Sequence, residues 1–151
     1  MKTGIMLIGS LVLVYLIPFA GYADNKYVPT TDEVYYATWI NKETYPQKMV
    51  KYSDGTFEDY ELDETTPFRG GTSEIVKKWT DTEGNVFYDT YDAFTKGSMT
   101  GYKVQSLWKI SKSGTVCEMV WTPVGIFDSS GFPAAIDPKS DRYFIFYRAE
   151  K

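Results

Sequence analysis

The sequence predicts an all-β fold: a single eight-stranded antiparallel up-and-down β-barrel with little helix. Three observations carry that expectation. Past the first 23 residues Ala and Leu are scarce, while Tyr, Thr, Val, Phe and Trp, which suit a pleated and half-buried surface, are plentiful. Turn signals recur at short intervals, as they do along sandwiches and barrels. Between Tyr102 and Ile110 the chain alternates: Tyr102, Val104, Ser106, Trp108 and Ile110 share one face, and Lys103, Gln105 and Lys109 the other. Eight such strands in sequential hairpins close economically into a barrel, which removes the sheet edges that invite aggregation. A two-sheet sandwich satisfies the same strand count.

Residues 1–23 stand apart from this pattern. Lys2 precedes an apolar run from Ile5 to Phe19, and Gly21-Tyr22-Ala23 forms a small-x-small cleavage pattern before polar Asp24-Asn25-Lys26. That is the layout of a secretory signal peptide. The run of about fifteen residues is short of the ~20 that span a bilayer, although a retained anchor is the alternative. The expectation is an exported protein, periplasmic or secreted, whose one folded domain is Asp24–Lys151.

Along that domain the first strand is read at Val34–Asn41, VYYATWIN. Lys48–Tyr52 and Thr56–Leu62 follow, joined through Ser53-Asp54-Gly55, where Gly supplies the positive φ of a tight hairpin. Ser73–Trp79 and Val86–Tyr91 flank Asp81–Asn85, and Tyr102–Ile110 and Thr115–Trp121 flank Ser111–Gly114. The last strand is Arg142–Arg148, RYFIFYR. The final two strands are apolar on nearly both faces, so they are covered from outside or face a partner. Two segments read as flexible: Pro67–Gly71, and the long Pro- and Gly-containing stretch Thr122–Asp141. A loop of that length is either a lid or binding loop, or an Ω-like plug over a barrel end.

Charge and missing residue types narrow the chemistry. Lys2 is the only charged residue of the leader, leaving 15 basic against 20 acidic side chains spread along the rest. That balance argues against nucleic acid and anionic membrane surfaces as partners. The chain contains no His and one Cys, Cys117, which removes Ser-His-Asp and Cys-His catalysis, Cys/His zinc sites and any internal disulfide. Cys117, within VCEMVW, reads as a buried thiol.

The acidic, aromatic stretch VKKWTDTEGNVFYDTYDAF, Val76–Phe94, resembles a calcium loop at first sight. Counted from Asp81, however, Gly84 stands at position 4, Asp92 replaces the terminal Glu, and strands flank the segment instead of helices. It reads as a solvated hairpin turn. A glycosidase needs two facing carboxylates, and spacing does not select a pair such as Asp89 and Glu118 over others. No cofactor or metal is expected. The candidate ligand-binding residues are the aromatics Tyr88, Trp108, Trp121, Phe127, Phe144 and Phe146, with Glu118 if its side chain points inward from the apolar run. The same aromatics equally suit a solidly filled barrel.

Ala37-Thr38-Trp39 in the first strand, eight strands in sequential hairpins and Tyr147-Arg148 at the end of the last strand together resemble a small bacterial lipocalin-like protein of the calycin class. Ala37 stands where that family has Gly, and no C-terminal helix follows Arg148. The resemblance implies structural roles for Trp39 and Arg148 at barrel closure, with the Arg over the indole face, and no catalytic residues. It also implies transport, storage or scavenging of a small hydrophobic or amphiphilic molecule. The expected function is therefore non-catalytic binding in a barrel pocket of roughly 300 Å³ or more, helped by the Thr122–Asp141 loop. The alternative is a filled barrel or sandwich that binds a protein partner, for instance as an inhibitor or envelope component.

Overall fold

The alternation read from the sequence becomes a closed wall in the computed structural model, which describes residues 27–43, 45–124 and 131–150. Strands β1 (Thr38–Asn41), β2 (Gln47–Lys51), β3 (Thr56–Glu61), β4 (Arg69–Thr80), β5 (Val86–Gly97), β6 (Lys103–Ile110), β7 (Val116–Pro123) and β8 (Tyr143–Arg148) follow in chain order. Each pairs antiparallel with the next, and β8 returns to β1 through Trp39↔Arg148 and Ile40↔Tyr147. The barrel is closed, all-antiparallel and free of helix among the described residues. The signal peptide expected over residues 1–23 lies outside them.

Period-two burial sorts the side chains. Along β6, Val104, Ser106, Trp108 and Ile110 are buried while Lys103, Gln105 and Lys109 reach solvent to differing degrees, as expected. Two residues depart: Tyr102, grouped with the dry face, precedes β6 and is 62% exposed, and Leu107 on the outer face is 3% exposed, opposite Val120 of β7 at 6%. On that same face the Thr122 hydroxyl donates to Gly131 O at 2.8 Å, which lays the returning end of the long loop along the outer wall. The loop thus runs outside the barrel at this point.

The first strand is shorter than expected. Val34–Ala37 lie before β1, in a segment whose turn is fixed by Tyr36 N donating to Glu33 O at 3.0 Å. Its side chains stopper one barrel end. Tyr35 is fully buried, sits edge-on to Trp108 at 4.9 Å and shares a 2.8 Å hydrogen bond with Ser73. Buried Glu33 accepts hydrogen bonds from Tyr88 at 2.8 Å, Lys78 at 2.5 Å and Tyr27. Burial alone would raise the Glu33 pKa, but the hydrogen bonds from Lys78, Tyr27 and Tyr88 outweigh it and hold the carboxyl down to about 2. Beneath this stopper Trp39, Tyr88, Trp108, Ile110, Cys117 and Phe146 form a solid core.

The β4–β5 hairpin is longer than expected at both ends. Arg69, Gly70 and Gly71, read as flexible, belong to β4. These glycines serve close approach: a Cβ on Gly71 would stand 2.0 Å from Ala93 O, at a register shift in the β4–β5 ladder. At the far end of the hairpin the Asp81 carboxylate accepts hydrogen bonds from the backbone N–H groups of Glu83 and Asn85, each at 2.9 Å, and from the Asn85 amide at 2.9 Å. Asp81 is thereby occupied by its own turn, with Gly84 at φ 90°.

Candidate ligand-binding site

Among the described residues, the end opposite the stopper is open. Loops β1–β2, β3–β4 and β7–β8 surround a broad mouth of about 840 Å³, whose rim carries Glu61, Asp63, Glu64 and Asp141. Gln47, Arg69, Trp121 and Phe144 border both this mouth and a second, inner cavity of about 110 Å³. They form a throat. The apolar residues that line the inner cavity include Met49, Phe57, Phe94, Trp108 and Met119.

Between them stand charged residues on inward positions of β2, β3, β4 and β5. Lys51 Nζ lies 3.4 Å from Asp92, with side chains 1% and 7% exposed. Ser73, at 3.5 Å from the same ammonium, donates to the other Asp92 oxygen and links it to Tyr35. The ammonium also faces the Phe57 ring at 4.2 Å and the Trp108 ring at 5.1 Å. Nearer the throat, Arg69 Nε donates to Asp59 Oδ2 at 2.5 Å, while its other nitrogens reach Met99 Sδ at 3.0 Å and Gln47 Oε1 at 3.5 Å. Asp59 is 0% exposed, and its second oxygen, Oδ1, finds no hydrogen-bond donor among the described residues. Burial raises the Asp59 pKa, against the pull of the Arg69 guanidinium.

The aromatic candidates divide between this cavity and the core. Trp108, Trp121 and Phe144 line the cavity. Tyr88 and Phe146 are fully buried in the core beneath the stopper and away from the cavity wall. Phe127 lies outside the described residues. Glu118 corrects its inward reading: it stands on the outer face of β7, 3.3 Å from Lys109 and accepting from the Tyr143 hydroxyl at 3.0 Å. The parity of β7 turns Cys117, Met119 and Trp121 inward, so Glu118 between them must turn out. Of the long loop, Asp141 reaches the mouth. Trp39 and Arg148 are register partners at closure, but the indole is buried with its N–H on Tyr35 O at 3.1 Å. The Arg148 guanidinium extends instead beside the Gly114 turn, and no cation–π contact joins the pair.

Sequence reading passed over Lys51, Asp59, Arg69 and Asp92. The signal was present for three of them: Lys51 shares parity with Met49, Asp59 with Phe57, and Asp92 with Phe94. That parity went unread, and here opposite charges enter together and neutralise each other. Compared with protein-family models, curated proteins and solved structures, the chain matches none.

Proposed function

We propose that this protein is a non-catalytic binding protein, exported and lipocalin-like, that carries or sequesters a small amphiphilic molecule at the open end of its barrel. The observation that carries this reading is the throat, where a wide mouth narrows into an inner cavity whose lining interleaves aromatic rings with two charge pairs. Ligand sites of carriers combine mostly apolar walls with a few fixed polar groups. The closure of eight strands and the Trp39–Arg148 register pair support the lipocalin-like assignment.

The inner cavity, at about 110 Å³, is smaller than the ~300–1,000 Å³ of a typical ligand pocket. The ligand therefore sends a narrow end inside and leaves its bulk in the mouth. The same size supports the absence of catalysis. Asp59 and Asp92 are both inward carboxylates, but each is tied to a cation, and the space between the walls holds a head group instead of a glycosidic bond with sugar rings on either side.

Native mass spectrometry of the protein isolated from its own host tests the reading. A co-purifying small molecule, lost on denaturation, is the expected result and identifies the cargo. A clean apo mass overturns it in favour of a filled barrel that binds a protein partner. The solid lower core and the exposed Tyr147 on the outer face of β8 are the observations that favour that second reading.

A further inference from the structure

The inner cavity has a polarity pattern that restricts what can enter it. Its four charges form two balanced pairs, Lys51 with Asp92 and Arg69 with Asp59, each holding at least one fully or almost fully buried member. A ligand group that carries a net charge would upset that balance in a site where water cannot compensate. The rim outside adds four carboxylates, Glu61, Asp63, Glu64 and Asp141, and so opposes an approaching anion. A neutral group enters at the least electrostatic cost.

Within the cavity the polar atoms are unequal. Both Asp92 oxygens are engaged, one by Lys51 and one by Ser73. Asp59 Oδ2 takes the Arg69 N–H, whereas Asp59 Oδ1, on a residue that lines the cavity and is fully buried, is without a donor among the described residues. A buried acceptor left in that state has lost its hydration with nothing in return, and a ligand hydrogen-bond donor supplies the missing partner. The rest of the lining is mostly apolar, with Met49, Phe57, Phe94 and Met119, Ser106 as a further hydroxyl, and the Trp108 N–H spent on Thr90 at 3.2 Å.

We infer that the cavity selects an uncharged amphiphile whose buried end carries a hydroxyl group, donated to Asp59 Oδ1, with its apolar remainder passing the Trp121–Phe144 throat into the mouth. This rests on the amphiphile-binding reading and specifies the head group it requires. It makes Asp59 a specificity-determining residue, with Arg69 holding one carboxylate oxygen and leaving the other unpaired among the described residues.

The test uses four probes of one chain length: 1-decanol, decyl methyl ether, decanoate and decylammonium. Binding is followed by tryptophan fluorescence, since Trp108 and Trp121 line the cavity, and by calorimetry. The expected result is saturable binding of 1-decanol, with decyl methyl ether weaker by about tenfold because it has no proton to donate. Both charged probes are weaker still. In Asp59→Asn the amide oxygen turns to Arg69 and its NH₂ faces the cavity, so the gap between alcohol and ether closes.

Equal affinity for alcohol and ether in the unmodified protein overturns the inference, and needs no variant to fold. Tightest binding of either charged probe overturns it as well. Both results leave the amphiphile reading standing. No saturation by any probe also overturns it, and whether the broader reading falls too is decided separately by the mass of the host-derived protein. A crystal of the decanol complex showing the hydroxyl on Asp59 supports it, and one showing only water there overturns it.

Discussion

Lys51 is the residue on which the interior turns. Its stem fills barrel volume and its ammonium is held by Asp92, Ser73 and the Phe57 and Trp108 rings, with the whole residue 3% exposed. Removing one partner of such a pair leaves the other charged and unsolvated. Lys51→Met is therefore expected to cost about 3–5 kcal/mol in urea denaturation. Adding Asp92→Leu removes the stranded charge and is expected to recover most of that loss. A double variant no better than the single one would show that the pair is not coupled as drawn. This residue also marks a limit of sequence reading. Trp108 was recognisable from its parity as lying on the dry face of its strand, whereas Lys51 and Asp92, which share parity with Met49 and Phe94, were not considered as inward. Inwardness was written in the spacing. The pairing that makes it tolerable joins residues 41 apart in the chain and needs the closed sheet to be seen.

At the level of elements, the hairpins were the most legible part. Asp54-Gly55 and Ser111–Gly114 turn where expected because Gly must take positive φ, at 83° and 72°. Element ends were less legible. VYYATWIN has β-forming residues throughout, but Tyr35 finds Ser73 and Trp108 by leaving the ladder, and a side-chain contact to distant strands is invisible to local propensity. Gly70-Gly71 misled in the opposite sense, since glycine signals both flexibility and close approach. The structure distinguishes the two. In Gly71→Ala the new methyl would collide with the Ala93 carbonyl, so we expect a loss of about 1–3 kcal/mol. It should appear as a lower urea midpoint with an unchanged m-value. Wild-type stability in this variant would mean that the β4–β5 ladder is looser there than the register indicates.

For the whole molecule, the stopper at the end opposite the mouth is an electrostatic latch. Glu33 ties the segment before β1 to Lys78 of β4 and Tyr88 of β5. Its ordinary pKa is 4.5 and its folded value is about 2, so the native state favours the ionised form. The stability this contributes is complete above about pH 4.5 and is lost as the pH falls towards about 2. Thermal denaturation across that window should show a falling midpoint, flattened in Glu33→Gln, which also starts from a lower midpoint at pH 7. An unchanged slope in the variant would assign the acid loss to other carboxylates. The closed barrel itself was legible from strand count, turn spacing and alternation. The polarity of its two ends was not, because the stopper, the throat and the mouth are each assembled from segments far apart in sequence.

Among the described residues, one end is stoppered and the other leaves the throat as the way into the inner cavity. Whatever occupies the inner cavity must leave by the route it entered, past Gln47, Arg69, Trp121 and Phe144. A newcomer cannot push the occupant out from behind. On the proposed carrier reading, exchange would be sequential, with its pace set by departure through the throat.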